Sequence, residues 1–232
     1  ADEILVVDSG STDQTVTIAQ KMGCRVLHND WKGYGQQKNF AQDQAKNDWI
    51  LNLDADEEIS PESKAEILAQ LELVGNQSTQ YQGFYLPRKT FYLGRWIHHG
   101  GWYPNYLLRL ADRRCSRWTE PSVHEELRTS GLTQKLENPI LHYSFEDIQD
   151  QILTNLTYSK QGYEVLKGKG KKASLLRLLI KPVGKFIETF ILKRGFLDGI
   201  PGLIISINAA HSIFLKYAYL IEEELRANTD HR

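Results

Sequence analysis

The segment WILNL (49–53) is apolar, of strand length, and stops at four acids: Asp54, Asp56, Glu57 and Glu58. Carboxylates so close together repel, and they need solvent, a helix N-terminus or a cation. If the chain stays extended there, side chains alternate and Asp54 and Asp56 share one face. Two carboxylates on one face could hold Mg²⁺ or Mn²⁺, since such an ion takes one or two carboxylates and completes its shell with water and substrate phosphates. Bound to a diphosphate, it would neutralise charge on that group as it leaves. The plainer alternative is that the acids decorate the turn before a helix, where the dipole favours them. Glu57 and Glu58 are assigned that part. Asp8 ends a second apolar run, ILVV (4–7), in the same manner.

These residues need elements to position them. ILVV reads as a short buried strand followed by the turn SGSTD. Ser11 and Gln14 have capping-box spacing, which predicts a helix over about 12–22, closed by Gly23. CRVLH (24–28) reads as the next strand, and strand, helix and strand in that order predict a βαβ unit with a parallel sheet. A glycine-bearing loop then leads to a polar helix over about 36–46, and WILNL follows as a strand. Ser60 and Pro61 begin a further helix as cap and first residue. Asp8 and Asp54 thus lie at carboxyl ends of strands, the edge where open α/β sheets bind ligands. From Gly83 to Tyr143 short aromatic-rich strands predict an antiparallel extension, and the chain beyond Asp147 reads as helical. The division expected is an α/β domain over 1–147 and a helical, basic-amphipathic region over 148–232.

The whole-chain charge selects no partner class, with 28 basic and 29 acidic residues among 232. Its distribution is uneven: residues 160–194 hold ten Lys and Arg against Glu164 and Glu188. Bulky aliphatics interleave with those cations, which points to a segment lying on an anionic membrane surface. They are too numerous for a phosphate-tracking face, and no RNA- or DNA-binding motif is present, so nucleic acid is not expected as a partner. No signal peptide is visible. No apolar run is expected to span a bilayer, because Asn208, His211 and Lys216 interrupt the longest. Cys24 and Cys115 offer neither metal spacing nor a disulfide framework, which fits a reducing compartment.

As a set, VVDSGSTDQT (6–15), GYGQQKNFA (33–41), LNLDADEEIS (51–60), GGWYPNYLLRL (100–110) and PSVHEEL (121–127) resemble the family 2 glycosyltransferases over roughly residues 3–145. The closest branch resembled is the bacterial lipopolysaccharide inner-core β-1,4-glucosyltransferases, whose RGFLDGIPGL-like segment recurs at 194–203. The resemblance implies a GT-A fold, a Rossmann-like nucleotide-sugar-binding α/β architecture with a mixed sheet. It also implies a first strand and loop, helping to hold uracil, ahead of residue 1. By the same resemblance Asp8, with Ser9 beside it, holds the uridine. Lys38 lies near the base or phosphates, and Asp54 and Asp56 are the metal- and diphosphate-binding D-x-D. Glu125 matches the catalytic base, taking the proton from the acceptor hydroxyl as it attacks the anomeric carbon. Strand alternation prefers it over Glu126. His142 resembles a C-terminal His that completes the metal shell, with His124 a second candidate; imidazole suits Mn²⁺ better than Mg²⁺. Gly100 and Gly101 fit an acceptor-side loop, where Trp102 could stack on a sugar or simply pack. His98 and His99, being adjacent, are not taken as ligands.

The expectation is an inverting hexosyltransferase at the cytoplasmic face of the inner membrane, peripherally bound. Its donor would be a UDP-sugar and its acceptor a lipid-linked saccharide, the lipopolysaccharide core. Two rivals use the same residues: a metal-dependent nucleotidyl- or phosphotransferase, and a non-catalytic membrane-binding module.

Overall fold

A computed structural model describes residues 1–120, 125–172 and 174–229. The first apolar run forms β1 (Leu5–Asp8), and the chain returns through α1 (Thr15–Lys21) to β2 (Arg25–His28), which lies parallel to β1 with Asp8 opposite His28. The βαβ unit is therefore present. Helix α1 begins later than the capping-box spacing predicts, and no side chain caps it. The Asp8 carboxylate accepts the amides of Gly10 at 2.8 Å and Ser11 at 3.1 Å, fixing a turn just ahead of the expected helix start.

The polar helix is α2 (Tyr34–Gln44), followed by β3 (Trp49–Leu51), β4 (Glu57–Ile59) and α3 (Pro61–Gly75). Ser60 caps α3 as its sequence predicts, its hydroxyl accepting the Ser63 amide at 3.0 Å. The long β5 (Tyr81–Tyr92) leads into β6 (Arg95–Trp96), β7 (Asn105–Asp112), β8 (Ser116–Trp118), β9 (Leu127–Thr129), β10 (Leu132–Lys135) and β11 (Ile140–His142). Two sheet expectations are corrected. Strand β3 does not extend the parallel β1–β2 pair; it runs antiparallel to β7, with Trp49 opposite Asp112. Nor is the 83–143 region uniformly antiparallel, since β10 and β11 each pair parallel to β5. Only β6 follows β5 by a hairpin; β10 and β11 reach it after longer connections, which permit parallel pairing. The sheet pairing is mixed, as the GT-A resemblance implies.

Beyond Asp147 the chain is helical: α4 (Ile148–Gly168), α5 (Leu175–Phe186), a π-helical segment Ile187–Leu192, a 3₁₀ turn Gly195–Asp198, and α6 (Gly199–Thr229). Residues Gly195–Ala227 are long and apolar enough, by length and composition, to cross a membrane, which corrects the expectation that no run reaches that length. The helix simply continues through Asn208, His211 and Lys216.

The chain divides into two compact units, neither continuous in sequence. The first comprises Ala1–Ala55, Ile59–Pro87 and Tyr106–Pro139, with a core of Leu108, Ala111, Trp118 and Leu127 packed by Tyr85. The second comprises Asp56–Glu58, Arg88–Asn105 and the chain from Ile140 onward, with a core of Tyr92, Ile97 and Ile205 packed by Trp102 and Phe145. This partition differs from 1–147 and 148–232, because the aromatic segment 88–105 buries its side chains against α6.

Candidate active site

Helix α2 positions the centre of the first unit. Its Asn39 amide exchanges two hydrogen bonds with the Trp118 backbone, both at 3.0 Å, and Gln42 donates to the Ser116 carbonyl. Gly35 lies so close to β8 that a Cβ there would collide with the Thr119 carbonyl oxygen. Zipped down in this way, α2 directs Lys38 onto the tip of β3. The Lys38 ammonium lies 2.8 Å from Asp54 Oδ1, 3.4 Å from Glu125 Oε1 and 4.3 Å from the centre of the Trp118 ring. Asp54 Oδ2 accepts a hydrogen bond at 2.7 Å from Arg109 Nη2, whose side chain on β7 is 3% exposed. Burial alone would raise the Asp54 pKa; the Arg109 guanidinium and then the Lys38 ammonium outweigh it and hold the carboxyl well below the usual carboxylate range. Among the described residues, Lys38 and Arg109 thus face Asp54, and Lys38 also meets Glu125.

The residue before Lys38 reaches the other strand tip. Gln37 donates from Nε2 to Ser9 Oγ at 2.7 Å and accepts from Asn29 Nδ2 at 2.7 Å. Asp8 and Ser9 are thereby tied to Asp54 through adjacent residues of one helix, not through neighbouring strands. Hydrogen bonds from Ser11 and from the Gly10 amide hold the Asp8 carboxyl below its usual pKa. Glu125 precedes β9 and does not belong to it, so the alternation argument that separated it from Glu126 does not apply. Contacts separate the two instead: Glu125 meets Lys38, whereas Glu126 accepts from the exposed Arg128 at 3.1 Å. His124 lies outside the described residues.

In the second unit Asp56 has a partner of its own. Ala55 and Asp56 form a turn, so the extended geometry that would put Asp54 and Asp56 on one face is absent. Asp56 Oδ2 lies 3.0 Å from His142 Nε2, and the other imidazole nitrogen lies 3.4 Å from Thr90 Oγ1. Glu57 and Glu58 do not decorate the turn before α3, as expected, but sit on β4. Glu57 pairs with Arg88 at 3.6 Å, and Glu58 accepts from the Tyr143 hydroxyl at 3.4 Å. The crowd of acids is resolved by giving each its own partner. Among the described residues no group of three His, Cys, Asp or Glu could hold a metal. A carboxylate and a steadied imidazole 3.0 Å apart do fit an ion that draws its remaining ligands from water and phosphate.

The glycine loop belongs to the second unit. Gly101 has φ of +83°, a conformation that side chains resist, and a Cβ there would meet the Lys193 side chain at 2.9 Å. Trp102 packs its ring 5.7 Å from Tyr92 and 5.8 Å from Phe145, so packing accounts for it. The Asp198 carboxylate, 1% exposed, accepts the backbone amides of His98 at 3.1 Å and His99 at 2.7 Å and lies 3.2 Å from His99 Nδ1.

With this geometry in view, the comparisons are decisive on family. The family model described as Glycosyl transferase family 2 matches residues 1–129, more than half of the chain. The chain belongs to that family. An uncharacterized glycosyltransferase of Rickettsia conorii is 32% identical over 241 residues, covering 97% of this chain and 83% of its own. One from Rickettsia bellii is 33% identical over 243 residues, covering 98% and 80%. The lipopolysaccharide core biosynthesis glycosyltransferase LpsC of Rhizobium meliloti is 27% identical over 243 residues, covering 98% and 87%. Among solved structures, Staphylococcus aureus TarS matches 97% of this chain and 82% of its own at 14% identity and a TM-score of 0.42.

Two residues of this family 2 glycosyltransferase escaped the sequence reading although each left a signal. Arg109 is the lone charge in YLLRLA, and a cation inside a buried strand demands a carboxylate partner. Asp198 is the lone acid in GFLDGIPGLI, and the same reasoning applies to it. Neither partner was legible, since Asp54 and His98–His99 lie far off in sequence.

Proposed function

We propose that this glycosyltransferase moves a hexose, glucose being the first candidate, from a UDP-sugar to a sugar of the lipopolysaccharide inner core, with inversion at the anomeric carbon. The observation that carries the reading is Glu125 in contact with Lys38, which Asp54 and Arg109 fix in turn. Asp8 and Ser9 hold the uridine, and Lys38 and Asp54 border the nucleotide sugar. Glu125 takes the proton from the acceptor hydroxyl while that oxygen bonds to the anomeric carbon. The bond to the diphosphate breaks, and UDP departs with the electron pair. Asp56 and His142 would hold Mg²⁺ or Mn²⁺, an ion able to neutralise charge on a diphosphate. Gly101 and Trp102 are assigned to the acceptor side. The printed name of LpsC supports a lipopolysaccharide acceptor, and such an acceptor suits an enzyme bound peripherally at the cytoplasmic face of the inner membrane.

Glu125→Gln keeps the shape and removes the base. It is expected to bind UDP as the parent does while transfer from UDP-glucose falls by about 100-fold or more. Calorimetry and a radiolabelled-sugar assay check the two halves, and normal turnover would remove Glu125 from the mechanism.

A further inference from the structure

We infer that α5 holds this chain on an anionic bilayer, lying in the plane of the interface with one apolar face in the acyl boundary. The inference rests on the lipid-borne acceptor proposed above and names the surface that meets that lipid. Leu175, Leu176, Leu179, Ile180 and Val183 are spaced to share one side of a helix, and each is 57–67% exposed. Another side of α5 packs on α6, so the exposed side is left over after the unit has folded. Residues 169–186 carry six Lys and Arg and no acid, and Arg177 and Lys181 of α5 itself are exposed. An apolar face on a helix whose remaining side and preceding residues carry cations suits an interface that offers acyl chains below and anionic headgroups beside it. A second copy of the chain suits it less well, because an isologous contact would bring two stretches with six cations and no acid close together. With 12 residues α5 is about 18 Å long, short of the ~30 Å of hydrocarbon it would have to cross.

Helix α6 has the length to cross but is tied to polar neighbours. Asn208 donates to Gln151 at 2.6 Å, Ser212 Oγ lies 2.8 Å from Ser159 Oγ, and Tyr163 donates to Glu223 at 2.8 Å. The partners Gln151, Ser159 and Tyr163 are on α4, which also carries Lys160, Glu164 and Lys167. A crossing α6 would draw that polar helix into hydrocarbon, where charged groups are costly. Helix α6 therefore stays outside and serves as the bed on which α5 rests.

The test is co-sedimentation of the full chain with phosphatidylcholine vesicles, with and without about 30% phosphatidylglycerol. Binding is expected on the anionic vesicles only, and it should weaken by about tenfold at ~0.5 M salt. Leu179→Glu and Lys181→Glu, both at exposed positions, should each lower it by about tenfold with unchanged circular dichroism. Equal binding by Leu179→Glu would overturn the assignment. So would retention after an alkaline carbonate wash, which would mean that α6 spans, or self-association that Leu179→Glu abolishes without any vesicle binding. UDP-glucose hydrolysis without vesicles reads the donor site alone and should be the same in all these proteins. Its absence from the parent would count against the catalytic reading and leave the membrane result standing.

Discussion

Asp54 shows how a single carboxylate can be committed twice. Because Arg109 and Lys38 depress its folded pKa, its contribution to stability is present in full above the ordinary carboxylate pKa of 3.8 and is lost as pH falls from there toward the folded value. Urea midpoints taken downward from pH 7 should therefore drop more steeply in the parent than in Asp54→Asn below that value. At neutral pH the same substitution is expected to cost about 2 kcal/mol, less than the ~3–5 of a fully buried pair because Asp54 keeps some solvent contact. Asp198 presents the opposite case, a carboxylate shut away from water that accepts hydrogen bonds from two backbone amides. Asp198→Ala leaves those amides without it and should cost roughly 3 kcal/mol, read as a lowered Tm. Asp54 was legible, since a charged residue at the end of an apolar run needs explaining, whereas Asp198 left the same signal in the middle of one and went unread. What settles each one is a partner brought in by folding, and no local pattern near residue 54 points to residue 109.

At the scale of elements, what could be read was what is decided within one turn of chain. Ser60 caps α3 because the amide it needs is three residues away. Ser11 has the same spacing to Gln14 and fails, because the Asp8 carboxylate at the end of β1 claims the neighbouring amides first. The βαβ unit was legible from its alternation of patterns. The parallel pairing of β10 and β11 with β5 was not, since it depends on how long connections return. Helix α2 shows how much one element can carry. Its approach to β8 depends on Gly35, and Gly35→Ala forces the helix outward, at an expected cost of about 1–3 kcal/mol. The shift should also loosen Lys38 from Asp54, so UDP-glucose turnover is expected to fall further than stability explains. Comparison of turnover with the folded fraction at one temperature checks this.

For the whole molecule, the sequence suggested a catalytic block followed by a helical one, and composition changes sharply enough near residue 147 to make that reading natural. Composition cannot show that residues 88–105 fill their core with a side chain from α6. A fragment ending at residue 147 keeps Tyr92 and Ile97 but lacks Ile205, so it is expected to expose that aromatic cluster and aggregate. Dye binding and size-exclusion chromatography of the fragment against the full chain check this, and a monodisperse fragment with native-like near-ultraviolet dichroism would restore the simpler division. The same dependence has a consequence on the ribosome. Tyr92 and Ile97 leave the exit tunnel about a hundred codons before Ile205, a wait of roughly 5–20 s at ordinary translation rates. Through that interval the nascent polypeptide holds an aromatic strip without the side chain that completes its native cover, which makes this stretch a natural landing place for a chaperone.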